Sequence, residues 1–147
     1  MDYKIKYTKE AIAELNKAFL WYRSKELELG QRFKSAFGTV RLNLKENPEI
    51  FKEIEINHRR AVLSSSFPYI VHYLINEKTK TVKIIGVLHQ SMYPEVIKER
   101  LKMEQVHQIK QKEDQKLQQR VKQLGNIRKR NELEQEIERT RDRGFER

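Results

Sequence analysis

The four histidines are the side chains in this sequence best suited to acid–base or metal chemistry. They are His58, His72, His89 and His107. They show neither the HxxxH nor the HExxH spacing of a metal site, and the chain contains no cysteine. A disulfide scaffold and a Cys-ligated metal are therefore excluded, and we expect neither a metal nor another cofactor.

Nucleotide-binding and nucleophile motifs are also missing from the sequence. There is no GxxxxGK[ST] and no GxGxxG pattern to cradle a phosphate. The serine run 64–66 has no flanking glycines of the kind that form a nucleophile elbow, so it predicts a turn. The residues alone thus point to no standard enzyme class.

Two helices are predicted after a short N-terminal strand. Apolar residues alternate with lysines over residues 3–7, the pattern of a half-buried strand. Thr8 is a suitable N-cap for a first helix with one apolar face. A break within residues 24–30 precedes a second helix, which should end at Asn47 because a residue before proline avoids the helical region.

Three strands are predicted in the second half of the compact part. They cover residues 61–63, 69–75 and 81–89, with a polar hairpin loop over 76–80. Residues 50–56 show no pattern that assigns them firmly. The order β-α-α-β-β-β predicts an α+β fold in which a mostly antiparallel sheet packs on a helix pair.

Composition divides the chain into two parts. The 147 residues carry a net charge of +10, of which residues 1–97 and 98–147 each contribute +5. Residues 98–147 contain only 11 apolar residues, too few for a core of their own. We therefore predict a domain over 1–97 and a basic, mostly helical extension over 98–147.

No targeting or membrane segment is recognisable in the sequence. The chain has neither the apolar core of a signal peptide near its start nor an apolar run of the ~18–20 residues that cross a bilayer. A cytoplasmic protein without a membrane partner is expected.

The extension should begin as a helix at Pro94. Its apolar stripe is interrupted by Lys110, Lys112 and Glu113, which argues against a regular coiled coil. A helix end is predicted at 125–126, and a last short helix from Asn131, closed by a glycine.

Three roles remain open for the extension: a solvated helix, nucleic-acid binding, or association with a second copy or with another protein's helix. Its interleaved acids and its lack of stacking aromatics weaken the nucleic-acid reading. The densest cations, which would carry nucleic-acid or partner contacts, are Arg128, Lys129, Arg130, Arg139, Arg141 and Arg143.

A set of landmarks along residues 3–97 resembles a known family. They are Tyr7-Thr8, Ala11, Trp21-Tyr22, the helix start Leu29–Phe33, Asn47-Pro48, Arg60, Phe67–Tyr73, Ile85–His89 and Pro94. In this order and spacing they resemble the RelE/ParE superfamily of bacterial toxin–antitoxin toxins, especially its ParE-like branch.

The resemblance implies a small basic toxin that a cognate antitoxin neutralises by wrapping across it, in a plasmid-stabilisation type of system. RelE-like members are ribosome-dependent ribonucleases that cut mRNA, whereas ParE-like members poison DNA gyrase without hydrolysis. Because the two functions share one fold, the fold does not decide between them.

RNA cleavage would require an acid, a base and cations around the scissile phosphate. The candidates are Arg60 for a phosphate contact, His72 and His89 for acid–base chemistry, and Tyr93 for stacking or acid catalysis. His72 and His89 lie on neighbouring predicted strands and could share a face. However, Met92 lies at or beside a position where many relatives carry arginine, and strand 69–75 has no cation. These departures favour a toxin that acts by binding. A further alternative is a non-toxic member with a DNA-binding tail.

Overall fold

The computed structural model describes residues 2–55, 57–92 and 94–145. Helix α1 spans Lys9–Lys25 and α2 spans Leu27–Glu46. Thr8 caps α1 as predicted, since its side chain accepts the Ala11 N–H at 3.1 Å. The helix α2 ends before Asn47, and a single 3₁₀ turn, Pro48–Ile50, follows it.

Five strands form one sheet. They are β1 (Lys4–Tyr7), β2 (Lys52–Glu55), β3 (His58–Val62), β4 (Tyr69–Asn76) and β5 (Thr81–His89). Their spatial order is β1-β5-β4-β3-β2, in which β1 runs parallel to β5 and all other pairs are antiparallel. The predicted α+β class with a mostly antiparallel sheet is confirmed.

Strand β2 is an addition to the predicted order, and β3 begins earlier than predicted. All four residues of β2 are exposed, so no buried apolar face stabilises the segment as a strand, although Ile54 and Ile56 alternate with acids in the sequence. It is a strand because it pairs with β3, with Lys52 opposite Arg60 and Glu53 opposite Arg59. Backbone pairing with β3, rather than side-chain burial, therefore makes this segment the edge strand of the sheet.

The core lies between the helix pair and one face of the sheet. Its largest fully buried side chains are Tyr73, Phe33, Leu44, Ile84, Val71, Val82 and Val87. On the other face, the start of the last helix approaches β5 closely at Gly86. A Cβ there would lie 2.9 Å from both Ile97 Cδ1 and an Arg100 nitrogen. Glycine thus permits the close packing of Ile97, which is buried.

Helix α3 runs without interruption from Pro94 to Phe145. The chain divides into two units, with the boundary after Arg100, so most of α3 forms the second unit. The predicted helix end at 125–126 and the restart at Asn131 are therefore wrong. One glycine costs a helix only about 1 kcal/mol, and ion pairs from Arg128 to Glu132 and from Arg130 to Glu134 support the following turns.

Across the described ranges, no helix combines the length and the apolar character needed to span a bilayer.

Candidate functional site

A groove of about 400 Å³ lies between α1 and the end of β5 within the first unit. Its walls combine aromatic and apolar side chains with one carboxylate, one lysine and one histidine. The lining residues are Glu14, Lys17, Ala18, Trp21, Tyr22, Tyr69, Val87, Leu88, His89 and Met92. Such a mixture of apolar area and a few polar groups suits a protein or ligand contact.

Trp21 is the most prominent side chain of the groove, because 54% of its surface is exposed. Its ring meets the edge of Tyr22 at 5.0 Å between centroids. Tyr22 in turn stacks on Phe33 at 5.2 Å and contacts Phe67 at 4.8 Å. An exposed indole thus rests on an aromatic cluster anchored in the core. A large apolar side chain on a fixed base is typical of binding hot spots.

The opposite wall is a turn held by His89. The imidazole Nδ1 accepts the Ser91 N–H at 3.1 Å and lies 2.7 Å from Ser91 Oγ. The Met92 N–H donates to the His89 carbonyl at 2.9 Å, and the ring of His89 meets Tyr69 edge-on at 5.4 Å. His89 therefore shapes the turn that presents the half-exposed Met92 to the groove.

An ion pair closes the end of the groove where β5 extends beyond β1. Arg100 donates to both carboxylate oxygens of Glu14, at 2.7 and 3.1 Å, and to the Ile85 carbonyl at 3.0 Å. Glu14 also accepts the Val87 N–H at 3.3 Å. Two side chains thus satisfy backbone groups of β5 that have no neighbouring strand at this level.

His72 lies on the face of the sheet opposite to the groove. His58 Nε2 is 3.1 Å from His72 Nδ1, and Arg60 is the cross-strand neighbour of His72. Burial, followed by the charges of nearby groups including Arg60 and Arg100, lowers the pKa of His72 to about 4. Burial also lowers the pKa of His58. The two imidazoles form a neutral hydrogen-bonded pair at pH 7.

The strand register separates the predicted catalytic histidines. Tyr69 is opposite His89 and His72 is opposite Gly86, with no bulge between these pairs. Because side chains alternate along β4, His72 and His89 point to opposite faces of the sheet. The expectation that they share a face is wrong. Arg60 accompanies His72, and the predicted Tyr93 lies outside the described residues.

The cations of the extension are not all on one face of α3: Arg130 and Arg141 lie on the side opposite to the other four. Arg128 pairs with Glu132 at 3.3 Å and Arg130 with Glu134 at 3.6 Å, all largely exposed. Lys129 lies between the two paired arginines in the sequence. Farther along, Arg139 and Arg143 are one turn apart, whereas Arg141 lies on the other side of the helix. This arrangement lowers the charge density that a polyanion would meet.

Within the described part of the chain, no three His, Asp or Glu side chains are clustered in a way that would hold a metal ion.

The sequence pointed to Trp21 and Tyr22 only as landmarks, and it did not single out Glu14 or Arg100. An exposed tryptophan beside an apolar helix stripe is a signal that could have marked the groove. No local pattern indicates the ion pair, because its members are 86 residues apart.

The first unit is a small α+β fold with an aromatic-lined groove between α1 and β5. A family model described as the ParE toxin of the type II toxin–antitoxin system parDE matches residues 5–94. The chain belongs to this family, which confirms the resemblance to the ParE-like branch. Residues 95–147 lie outside the match.

Among solved structures, the chain is similar to one described as the chromosomal ParDE TA system from P. aeruginosa. The identity is 14% and the TM-score 0.49, covering 59% of this chain and 95% of the other. No curated protein sequence matches the chain.

Proposed function

We propose that this ParE-type toxin acts in the bacterial cytoplasm by binding its target, DNA gyrase, and that a cognate antitoxin neutralises it by docking in the α1–β5 groove. The observation that carries the proposal is the exposed Trp21 on its fixed aromatic base. The gyrase target comes from the family resemblance.

The groove is suited to bind an apolar segment of another protein. Trp21 and Met92 stand on its two walls with about half of each side chain exposed. Lys17 and Glu14 offer polar contacts at its rim, although Glu14 is already paired with Arg100. A helix or strand bearing apolar side chains and acidic flanks would complement this surface and the net charge of the chain.

The positions of the histidines support binding over hydrolysis. A general base works best with a pKa near the operating pH, whereas His72 has a pKa of about 4. His89 faces the other side of the sheet and accepts the Ser91 N–H. Arg60 and His72 therefore do not form one acid–base site with His89.

Antitoxin docking can be measured directly, because Trp21 is the only tryptophan of the chain. Titration with the protein encoded by the adjacent gene should shift Trp21 emission to shorter wavelength as the indole becomes buried. We expect Trp21→Ala to weaken binding by at least tenfold in calorimetry, as for a hot-spot residue. Leu42→Ala on α2 is the matched control, since Leu42 is equally exposed but does not line the groove. Unchanged affinity of Trp21→Ala would remove the groove from the proposal.

The target is tested by expression without antitoxin. We expect the cells to stop growing while their mRNA stays intact. We also expect the purified toxin to inhibit supercoiling by purified gyrase. Prompt ribosome-dependent mRNA cleavage, with gyrase unaffected, would instead establish the ribonuclease alternative. In that case Arg60→Ala and His89→Ala would show which face of the sheet carries the cleavage, because the two side chains lie on opposite faces.

A further inference from the structure

We infer that the second unit is a self-association surface, in which α3 of one copy pairs antiparallel with α3 of a second copy about a two-fold axis at residue 115. The surface is a stripe formed by every apolar residue between 103 and 127. Its members are Met103, Val106, Ile109, Leu117, Val121, Leu124 and Ile127. The inference does not rest on the proposed gyrase or antitoxin contacts, because α3 beyond residue 94 is outside the family match.

The stripe is exposed and lies on one side of the helix, with a polar gap over residues 110–116. At 3.6 residues per turn, its seven side chains fall within a sector of about 120°, the width of a packing face on a helix. Each is 53–71% exposed in the single chain. The rest of the helix surface over this segment is polar, so the stripe is the face that a packing helix would cover.

The spacing of the stripe favours a second copy of the same chain. Met103, Val106 and Ile109 precede residue 115 by twelve, nine and six positions, and Val121, Leu124 and Ile127 follow it by six, nine and twelve. A two-fold axis requires that when residue i contacts residue j, j also contacts i. An antiparallel pair centred at 115 meets this condition for six of the seven apolar residues, whereas Leu117 comes level with Glu113.

The apolar levels of this pair can be written out. Met103 comes level with Ile127 of the second copy, and Val106 with Leu124 of the second copy. Ile109 comes level with Val121 of the second copy, and the two side chains lie on opposite sides of the contact between the helices. These positions follow a heptad pattern, with Met103, Leu117 and Leu124 in one seam row and Val106 and Ile127 in the other.

Charge decides between the two orientations. A parallel pair in register would place Lys110, Glu113 and Arg120 each against its own copy, giving three like-charge levels in the seam. The antiparallel pair keeps two such levels, Lys110 with Arg120 and its two-fold equivalent, and places Glu113 level with Leu117, within one turn of Arg120 of the second copy. It also brings Asp114 level with Lys116 of the second copy. The charged residues that interrupt the stripe therefore destabilise an antiparallel pair less than a parallel pair.

Nucleic acid is the less favoured occupant of α3. Arg128 and Arg130 are paired with acids in the helix, and Arg141 lies on the side opposite to Arg139 and Arg143. Polyanion binding would also leave the seven apolar side chains of the stripe exposed.

The first test is the mass of the full-length chain by sedimentation over a hundredfold range of concentration. We expect a dimer whose dissociation constant rises at least tenfold in Leu124→Lys. Leu133→Lys is the matched control, because Leu133 is about as exposed but lies on the other side of the helix. Circular dichroism of each variant checks that the helix is retained. A monomer at all concentrations, or equal effects of both variants, would overturn the inference.

The second test determines whether the two helices run parallel or antiparallel. Because the chain has no native cysteine, an introduced cysteine is the only site of cross-linking. Met103→Cys and Ile127→Cys are prepared as separate proteins and treated with a short bis-maleimide. The mixture should give cross-linked heterodimers, whereas each variant alone should not cross-link. In the antiparallel pair the two 103 positions are about 36 Å apart, for 24 residues at 1.5 Å rise. Self-cross-linking of Met103→Cys would show a parallel pair and contradict the proposal, as would salt-dependent DNA binding by a protein that remains monomeric.

Discussion

At the scale of single residues, the His58–His72 pair is a buried polar contact that depends on both imidazoles being neutral. Its neighbours on β3 and α3 are Arg60 and Arg100, which oppose a further positive charge, while Glu55 favours one at His58. Protonation of either imidazole is opposed by burial and by the positive charges of the two arginines. The pair should therefore make the stability of the fold sensitive to acid.

We predict that the free energy of unfolding falls as the pH is lowered from 7 to 4. The unfolded chain titrates His72 near the usual 6.5, whereas the folded chain holds the pKa at about 4, so unfolding takes up a proton within this window. The loss from this group is at most about 3 kcal/mol. Urea unfolding at several pH values should show a shallower dependence for His72→Gln than for the wild type. His107→Gln, an exposed histidine on α3, should retain the full dependence.

The ion pair of Glu14 and Arg100 is the second residue-scale feature, and both side chains are only 20% exposed. We expect Glu14→Gln to lower the free energy of unfolding by about 1–3 kcal/mol, because it leaves Arg100 without its charged acceptor. The same substitution at Glu132, in an exposed pair on α3, should cost no more than about 0.5 kcal/mol. Equal costs in chemical denaturation would show that the buried pair adds nothing.

At the scale of elements, the start of α1 joins the helix to the sheet. Thr8 caps the helix through Ala11, while its own N–H donates to the Ile84 carbonyl at the end of the β1–β5 pairing. Thr8→Ala should cost about 1 kcal/mol of stability, since it leaves a helix N–H without a partner. Thermal unfolding should detect the loss, and Thr8→Ser should recover most of it. An unchanged melting temperature in Thr8→Ala would argue that water replaces the cap.

Strand β2 shows how an element can depend on its neighbour alone. The residues of Lys52–Glu55 are exposed at the edge of the sheet, and the charged ones discourage edge-to-edge pairing with other chains. A register shift between Glu53 and Glu55 adds to this protection.

At the scale of the whole molecule, the chain divides after Arg100, and truncation tests the prediction that residues 1–97 form the folded domain. A chain ending at residue 102 keeps Ile97 over Gly86 and Arg100 on Glu14. We expect it to unfold cooperatively, with a melting temperature near that of the full chain. A chain ending at residue 92 loses both contacts and should be several kcal/mol less stable.

The same truncation tests the role of the extension. Toxicity that survives in the chain ending at residue 102 would assign toxin action to the first unit. Loss of toxicity with an intact fold would show that α3 takes part in it, as the alternative of a functional tail requires.

The sequence by itself determined the elements whose patterns are local. The caps and proline around α1 and α2, the alternation in β1 and the β-branched runs of β4 and β5 indicated the α+β class. The apolar residues mirrored about residue 115 are likewise present in the sequence, whatever the tertiary structure. These features are readable because helix and strand periodicity act over a few residues.

Only the tertiary structure decided the contacts between distant segments. It made a strand of Lys52–Glu55 through pairing with β3, and it joined Glu14 to Arg100. The register of β4 against β5 placed His72 and His89 on opposite faces, because a shift of one residue in a strand reverses the direction of every side chain. No local pattern in one sequence specifies such a register.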